Sequence, residues 1–309
     1  MMVDLLDVIN VGLFAAAIRM ATPIVYAALG GMFSERVGVV NIGMEGIMLT
    51  SALGGVTVSY YTGNPWLGVA AAVAIGGFLG LVHAVVTVKY AGNQIVSGTG
   101  LNILAMGFTA YMSQILWGSR GASESVAGIK DITLPFLSDA PILGPILGTH
   151  SPLVYLMPVV TVVCYVVLFR TPLGLRIRAV GEHPTAAETA GIDVVRIKYM
   201  GVIVSGMLSG LGGAFLSLSH LNLFARGMTG GRGFIALAAL IFGKWMPFGV
   251  LDAGLLFGFA DALQMRLQSL GILPPQIILM LPYVLTVIVL AGVVGRARPP
   301  SNYKPYKRE

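Results

Sequence analysis

RTPLGLRIRAVGEHPTAAETAGIDVVRIK, Arg170 to Lys198, is a polar interval with long apolar runs on both sides. It carries five basic residues, Arg170, Arg176, Arg178, Arg196 and Lys198. Its local chemistry predicts a short, well-punctuated helix. Pro184 sits where a first helical residue needs no N–H, and Gly191 sits where a left-handed residue closes a helix. The about two turns between them are filled by mostly small residues, Thr185-Ala186-Ala187-Glu188-Thr189-Ala190. Such a helix offers close backbone approach rather than bulky anchors. It is marginal alone in water and needs packing against its own domain or a partner. On spacing alone, an ordinary loop with one helical turn has the same signature.

The flanking runs set the class of the protein. The 309 residues are 56% hydrophobic and 10% charged, with 41 Gly and a mean hydropathy of +0.85, far outside the range of soluble domains. The expected fold is all-α: a single polytopic transmembrane domain over residues 1–309, with no soluble enzyme or nucleotide-binding domain. Cys164, the one cysteine, lies in an apolar run, which excludes an intrachain disulfide or a cysteine metal site. The formal charge of +6 speaks to loop orientation rather than to nucleic acid, for which no partner role is expected.

Apolar runs fall at about Val8 to Met32, Val37 to Tyr61, Leu67 to Val88, Ile95 to Trp117, Leu153 to Phe169, Tyr199 to Leu218, Phe234 to Phe242, Val250 to Leu263 and Ile277 to Val294. They give about nine spans, within a range of about 8 to 10, against the ~20 residues that a crossing helix needs. The seventh and eighth are short. The first is expected to be a retained span, because MMVDLLD is acidic and the apolar part is too long for a signal peptide. Basic residues collect on the cytoplasmic side. Arg36, Lys89, the five of the polar interval, Lys244 and the tail's Arg296, Arg298, Lys304, Lys307 and Arg308 make 13 of the 19 that fall on one side. The N-terminus is therefore expected outside, with interval 170–198 and basic tail 295–309 in the cytoplasm. The loop 118–151, which carries Glu124, Lys130, Asp131 and Asp139, then faces outward, either as a docking surface or as a plain connection.

Several spans carry polar groups that lipid alone does not tolerate. Asn41 and Glu45 are four apart, which places them on one helix face, and Gly38, Gly43 and Gly46 point to a broken helix there. Two roles stand for Glu45: a tie between helices, with Arg19 as the partner in the first span, or a contact to substrate. Gln94, Gly98 and Asn102 line one side of the fourth span, and Asp261, Gln264 and Gln268 one side of the eighth. Such side chains serve a polar ligand or, more commonly, interhelical hydrogen bonds. Gly76 with Gly80, and Gly206 with Gly210, have the G-x-x-x-G spacing of close helix packing. His83 reads as a satisfied packing residue. No metal-binding, nucleophile-elbow or Walker A spacing is present, so no catalytic residue, metal or cofactor is expected in this chain.

GEHPTAAETAGI, Gly181 to Ile192, resembles the G-E-N-P-x-A-A-x-x-A-G-I segment of ABC importer permeases of the ribose and branched-chain amino acid class. His183 stands where that family usually has Asn, at the cap. RMATPIVYAALGGMFSERVGVVNIGMEGIML, Arg19 to Leu49, and GRGFIALAALIFGKWMPFG, Gly231 to Gly249, look most like the nucleoside and simple-sugar permeases. The resemblance covers essentially the whole chain. It implies that Gly181, Glu182, His183, Pro184, Ala186, Ala187, Glu188, Ala190 and Gly191 form a cytoplasmic coupling helix that docks into an ATPase. It implies further partners: a second related permease subunit, an ATPase with two nucleotide-binding modules that holds ATP and Mg, and an extracytoplasmic substrate-binding protein. Transport by alternating access then moves a small polar substrate, a nucleoside or else ribose or another simple sugar, along a path for which Asn41, Glu45, Gln94, Asn102 and Asp261 are the candidates. An ion-coupled secondary transporter, with Glu45 and Asp261 as its carboxylates, is the alternative from another class.

Overall fold

The computed structural model describes residues 10–135, 143–270 and 274–280, with positions 284 and 287. Four helices open the chain: α1 (Val11–Arg36), α2 (Met44–Thr62), α3 (Pro65–Ala84) and α4 (Gln94–Trp117), with α3 running on through a π turn at Val85–Lys89. A two-stranded antiparallel ribbon, β1 (Ile132–Thr133) and β2 (Thr149–His150), encloses the short α5 (Leu143–Leu147). Then come α6 (Pro152–Arg170), α7 (Pro172–Glu182), α8 (Pro184–Thr189) and α9 (Val194–Ala214), the last extended by a second π turn at Phe215–His220. The half-length α10 (Arg232–Phe242), α11 (Pro247–Leu270) and α12 (Pro275–Leu279) complete the order.

The helix boundaries follow from local chemistry. Asn10, Asn64, Asn93, Thr171 and Asp193 each accept a backbone N–H in the first turn of α1, α3, α4, α7 and α9. Gly63 and Gly118, at φ +66° each, close α2 and α4 in the left-handed conformation.

Among the described residues, six helices are long and apolar enough to cross a membrane: α1, α3 with its π turn, α4, α6, α9 with its π turn, and α11. α2, with 19 residues, is also about a bilayer core in length. The eighth run, expected to be short, is a 24-residue helix, because Asp252, Asp261, Gln264 and Arg266 interrupt the apolar pattern without interrupting the helix. The seventh is short as expected, at 11 residues. Most of the ninth run, all of the tail 295–309, residues 136–142 of the outward loop and residues 1–9 lie outside the described residues.

α9 is the central post. Of its most apolar stretch 78% is buried, against 28% for α4, so α9 sits within the protein while α4 lies at its periphery. It packs on α1, α2 and α3, and α11 packs on α1. The two G-x-x-x-G pairs meet each other: a Cβ on Gly76 or on Gly206 would land on the other's carbonyl oxygen, and one on Gly80 would lie 2.7 Å from the Val202 oxygen. Close backbone contact thus fixes α3 against α9. Lys198, expected in the loop, is instead buried in the second turn of α9, 2% exposed.

Candidate functional site

The chain between α1 and α2 is unwound over 37–43, with Gly38 at φ +78°. This corrects the expected pairing of Asn41 and Glu45 on one helix face. The helix begins only at Met44, so Asn41 lies in the break and Glu45 in the first turn of α2. Unwound backbone inside a membrane protein needs partners for its peptide groups, and side chains supply them. Gln94 accepts the Val40 N–H at 2.7 Å and reaches the Gly38 oxygen at 3.4 Å. Asn102 accepts the Gly46 N–H at 2.8 Å and donates to the Ile42 oxygen at 3.0 Å. Asn41 accepts the Gly43 N–H at 3.1 Å and donates to the Ser205 hydroxyl at 3.0 Å. Ser34 donates to the Val39 oxygen at 2.6 Å. His83 completes the set: Nε2 lies 3.1 Å from the Val40 oxygen and so carries the proton, leaving Nδ1 to accept from Ser97 at 2.9 Å. Gly98 lets α4 come close, since a Cβ there would lie 2.8 Å from the Gly43 nitrogen. Asn41, Gln94 and Asn102 are therefore brought together, as the support of the break.

Glu45 and Asp261 meet a different element. Gly230 and Gly231, at φ +56° and +84°, turn the chain abruptly into α10. The first amides of a helix lack intrahelical partners and form its positive end. Glu45 occupies them, accepting the Gly231 N–H at 2.8 Å through Oε1 and the Gly233 N–H at 2.7 Å through Oε2. The carboxylate thus stands at the start of both α2 and α10, where negative charge is favoured by each. Its tie is to these amides, not to Arg19. A Cβ on Gly233 would lie 2.5 Å from the Glu45 nitrogen and Cα, so only glycine fits. Between these two glycines, Arg232 turns the other way and pairs with Asp261 of α11 at 2.9 Å, with side chains 17% and 14% exposed. Arg19 and Arg232 both lie within electrostatic range of His220, at the end of α9. Two carboxylates, two guanidiniums and an imidazole are thus gathered where α1, α2, α9, α10 and α11 converge. Charges in such surroundings cost several kcal/mol unless paired, and both carboxylates are paired.

The approach to α10 is stitched to the loop after α4. Ser123, Val126 and Ile129 donate backbone N–H groups to the oxygens of Phe224, Asn222 and Leu218 at 2.8, 2.9 and 2.7 Å, and Arg226 donates to Gly121 at 2.8 Å. Segment 119–129 is thereby a strap bonded to the chain that leads into Gly231–Gly233.

At the opposite end, α8 spans Pro184–Thr189 and Gly191 takes φ +80°, as the Pro and Gly signals predict. His183 makes no side-chain cap bond, which is the local cost of the departure from Asn. Pro184 and Ala187 are buried against the chain's own helices; Glu182, His183, Ala186, Ala190 and Gly191 are exposed and Glu188 is half-buried. The free face of α8 is therefore Thr185, Ala186 and Thr189. Gly181 sits on the Arg36 carbonyl, where a Cβ would overlap it, and Arg36 donates to the Trp245 oxygen at 2.7 Å. α7 thus rests on the last residue of α1, next to the break, and α8 packs on α7 and α9.

Arg232, Gly231, Gly233, Trp245 and His83 were not assigned to a site by sequence reasoning. The available signal was the Gly-Gly-Arg-Gly run before an apolar segment too short to cross a membrane, which marks a helix that starts inside it.

A family model described as branched-chain amino acid transport system / permease component matches residues 13–290. The guanosine ABC transporter permease protein NupQ of Bacillus subtilis is 39% identical, with 98% of each chain covered. The nucleoside ABC transporter permease protein NupC of Lactococcus lactis is 38% identical over 91% of this chain and 92% of its own. A putative glucose ABC transporter permease protein of Haloferax volcanii, TsgC13, is 37% identical over 96% and 98%. In each of these organisms a second permease protein also matches, at 25% identity in Bacillus subtilis, 24% in Lactococcus lactis and 28% in Haloferax volcanii. No solved structure matches. The chain belongs to the branched-chain amino acid transport system / permease component family and is a multi-pass membrane permease of the ABC importer type.

Proposed function

We propose that this permease imports nucleosides, as one of two unlike permease subunits served by an ATPase and an extracytoplasmic binding protein. The observation that carries the substrate class is the 39% identity, over 98% of both chains, to a permease named for guanosine. The unlike second subunit is supported by the paired matches in three organisms, one at 37–39% and one at 24–28%. A sugar substrate is the second reading, favoured by the 37% identity to the putative glucose permease.

In the proposed mechanism the N-terminus and loop 118–151 face outward, and interval 170–198 and tail 295–309 face the cytoplasm. The binding protein delivers substrate to the strapped outer face. ATP and Mg are bound, and ATP is hydrolysed, in the partner ATPase, whose closure reaches the spans through Gly181 to Gly191. Ala186, on the free face of α8, meets the ATPase directly, while Pro184 and Ala187 anchor α8 to α7 and α9. The substrate path passes Glu45 and Asp261, with Asn41, Gln94 and Asn102 holding the break beside it. A polar path of this kind gains selectivity because the wrong substrate leaves buried groups unpaired.

The test is uptake of labelled guanosine by cells that carry the full system, with adenosine, cytidine, ribose and glucose as competitors. Nucleosides are expected to compete and sugars not to. Ala186→Trp, on the exposed face of α8, is expected to abolish uptake at normal membrane levels. Competition by glucose or ribose equal to that by nucleosides would move the substrate to sugars, and full uptake by Ala186→Trp would remove the coupling role.

A further inference from the structure

On the side that carries α7 and α8, a groove of about 1180 Å³ runs between α7 and the start of α9. Its walls are apolar at Leu173, Leu175, Ile197 and Met200, basic at Arg176 and Arg196, and acidic at Asp193, which leaves the lining with a net charge of about +1. Leu175 is 62% exposed and Leu173 36%, an unusual display for a helix that also carries two arginines. The groove has a polarity gradient. α7 begins two residues after the last residue of the spanning helix α6, so Leu173 stands at the membrane boundary. Along α9, Met200 lies one turn deeper than Arg196, about 6 Å further into the span. The apolar end is thus directed into the bilayer and the basic end out of it. No ion pair joins either guanidinium among the described residues, and the nearby Asp193 carboxylate is engaged in capping α9, accepting the Arg196 N–H at 3.0 Å.

We propose that this groove is a binding site for an anionic phospholipid. One acyl chain lies along Leu173, Ile197 and Met200, and the phosphate is held between Arg176 and Arg196, whose planar donor forks suit its oxygens. Charge complementarity selects an anionic over a zwitterionic headgroup. The continuation of the groove to Met200, one turn into the span, and to Leu173 at the end of the spanning helix α6 favours an acyl chain over a soluble protein. A lipid here bridges α7 and α9, the two helices that hold α8, and so stiffens the segment that meets the ATPase.

The experiment is native mass spectrometry of the assembled importer in mild detergent, titrated with phosphatidylglycerol or phosphatidylcholine of matched chains. It reads binding alone, whatever the transported substrate or the orientation in the membrane. Phosphatidylglycerol is expected to be preferred by about fivefold, from two arginines partly offset by the Asp193 carboxylate at a membrane surface. Arg176→Gln with Arg196→Gln is expected to reduce that preference to near unity while phosphatidylcholine adducts persist. Met200→Trp, which fills the apolar end, is expected to remove the high-affinity adduct of either lipid. An unchanged preference in the double variant overturns the proposal. So does equal competition by soluble glycerol phosphate, which would make the site a simple anion site. Adducts that appear only after the ATPase is stripped away would assign the groove to the protein partner, and would overturn it as well.

Discussion

Gly233→Ala is the sharpest probe of the junction between α2 and α10. The new methyl would lie 2.5 Å from both the nitrogen and the Cα of Glu45 and 2.8 Å from its Oε2. The first two are backbone atoms and cannot swing aside. Carbon contacts relax at about 3.5–4.0 Å, so the two helix starts must separate by about 1 Å. The hydrogen bonds from Gly231 and Gly233, now 2.8 and 2.7 Å, would then stretch to about 3.7 Å, beyond useful range. Each bond to an ionised carboxylate is worth about 1.5–3 kcal/mol, and alanine returns at most about 1 kcal/mol of helix propensity. The net loss is therefore about 2–5 kcal/mol, or about 3–8 °C in the melting midpoint of a chain this size.

The assay is thermal unfolding of the detergent-purified permease, followed by its three tryptophans. Gly100→Ala is the control, because a Cβ there meets nothing within 4 Å; it is expected to melt at or slightly above the wild type. A double-mutant cycle with Glu45→Ala isolates the hydrogen bonds, which can be lost only once. The double variant is expected to fall short of additivity by about 3–6 kcal/mol, the two bonds counted once. Gly233→Ala melting with the wild type, or strict additivity in the cycle, would refute the carboxylate clamp.

Three further outcomes are expected. Arg232→Ala or Asp261→Ala leaves a lone charge among apolar helices and should cost about 3–5 kcal/mol, whereas Arg232→Met with Asp261→Leu should recover most of it; membrane yield and melting midpoint decide. Asn102→Leu strands the Gly46 N–H and the Ile42 carbonyl, at about 1–3 kcal/mol each, and hydrogen exchange should rise across 38–46 ahead of the neighbouring helices. Ser123→Pro removes the N–H donated to Phe224 and detaches one rung of the strap; binding-protein-stimulated ATPase activity in proteoliposomes should fall while the unstimulated rate holds, and unchanged stimulation would show the strap to be passive.

The unequal legibility of the two ends of the molecule follows from the range of the interactions. α8 was readable because Pro184 and Gly191 act through their own dihedral angles, which need no distant partner. The G-x-x-x-G pairs were readable as packing surfaces, but that Gly76 and Gly206 would face each other depends on which helices become neighbours. The break at 37–43 was half readable: its glycines announced it, yet its true start placed Asn41 outside α2 and removed the inferred common face with Glu45. The partners of Glu45 were beyond reach for a physical reason. They are the backbone amides of Gly231 and Gly233, some 186 and 188 residues away, and a backbone amide leaves no mark of its own in a sequence. In a sequence the visible partners of a carboxylate are Arg and Lys, which singles out Arg19 rather than two backbone amides. The rule that would have found them is that a short apolar helix opened by glycines exposes an uncompensated positive end inside the membrane. Such an end requires a carboxylate or a ligand, and in this chain Glu45 stands in the position that answers it. Separating α10 from α2 would leave the amides of Gly231 and Gly233 without partners unless Glu45 followed them or a ligand took its place.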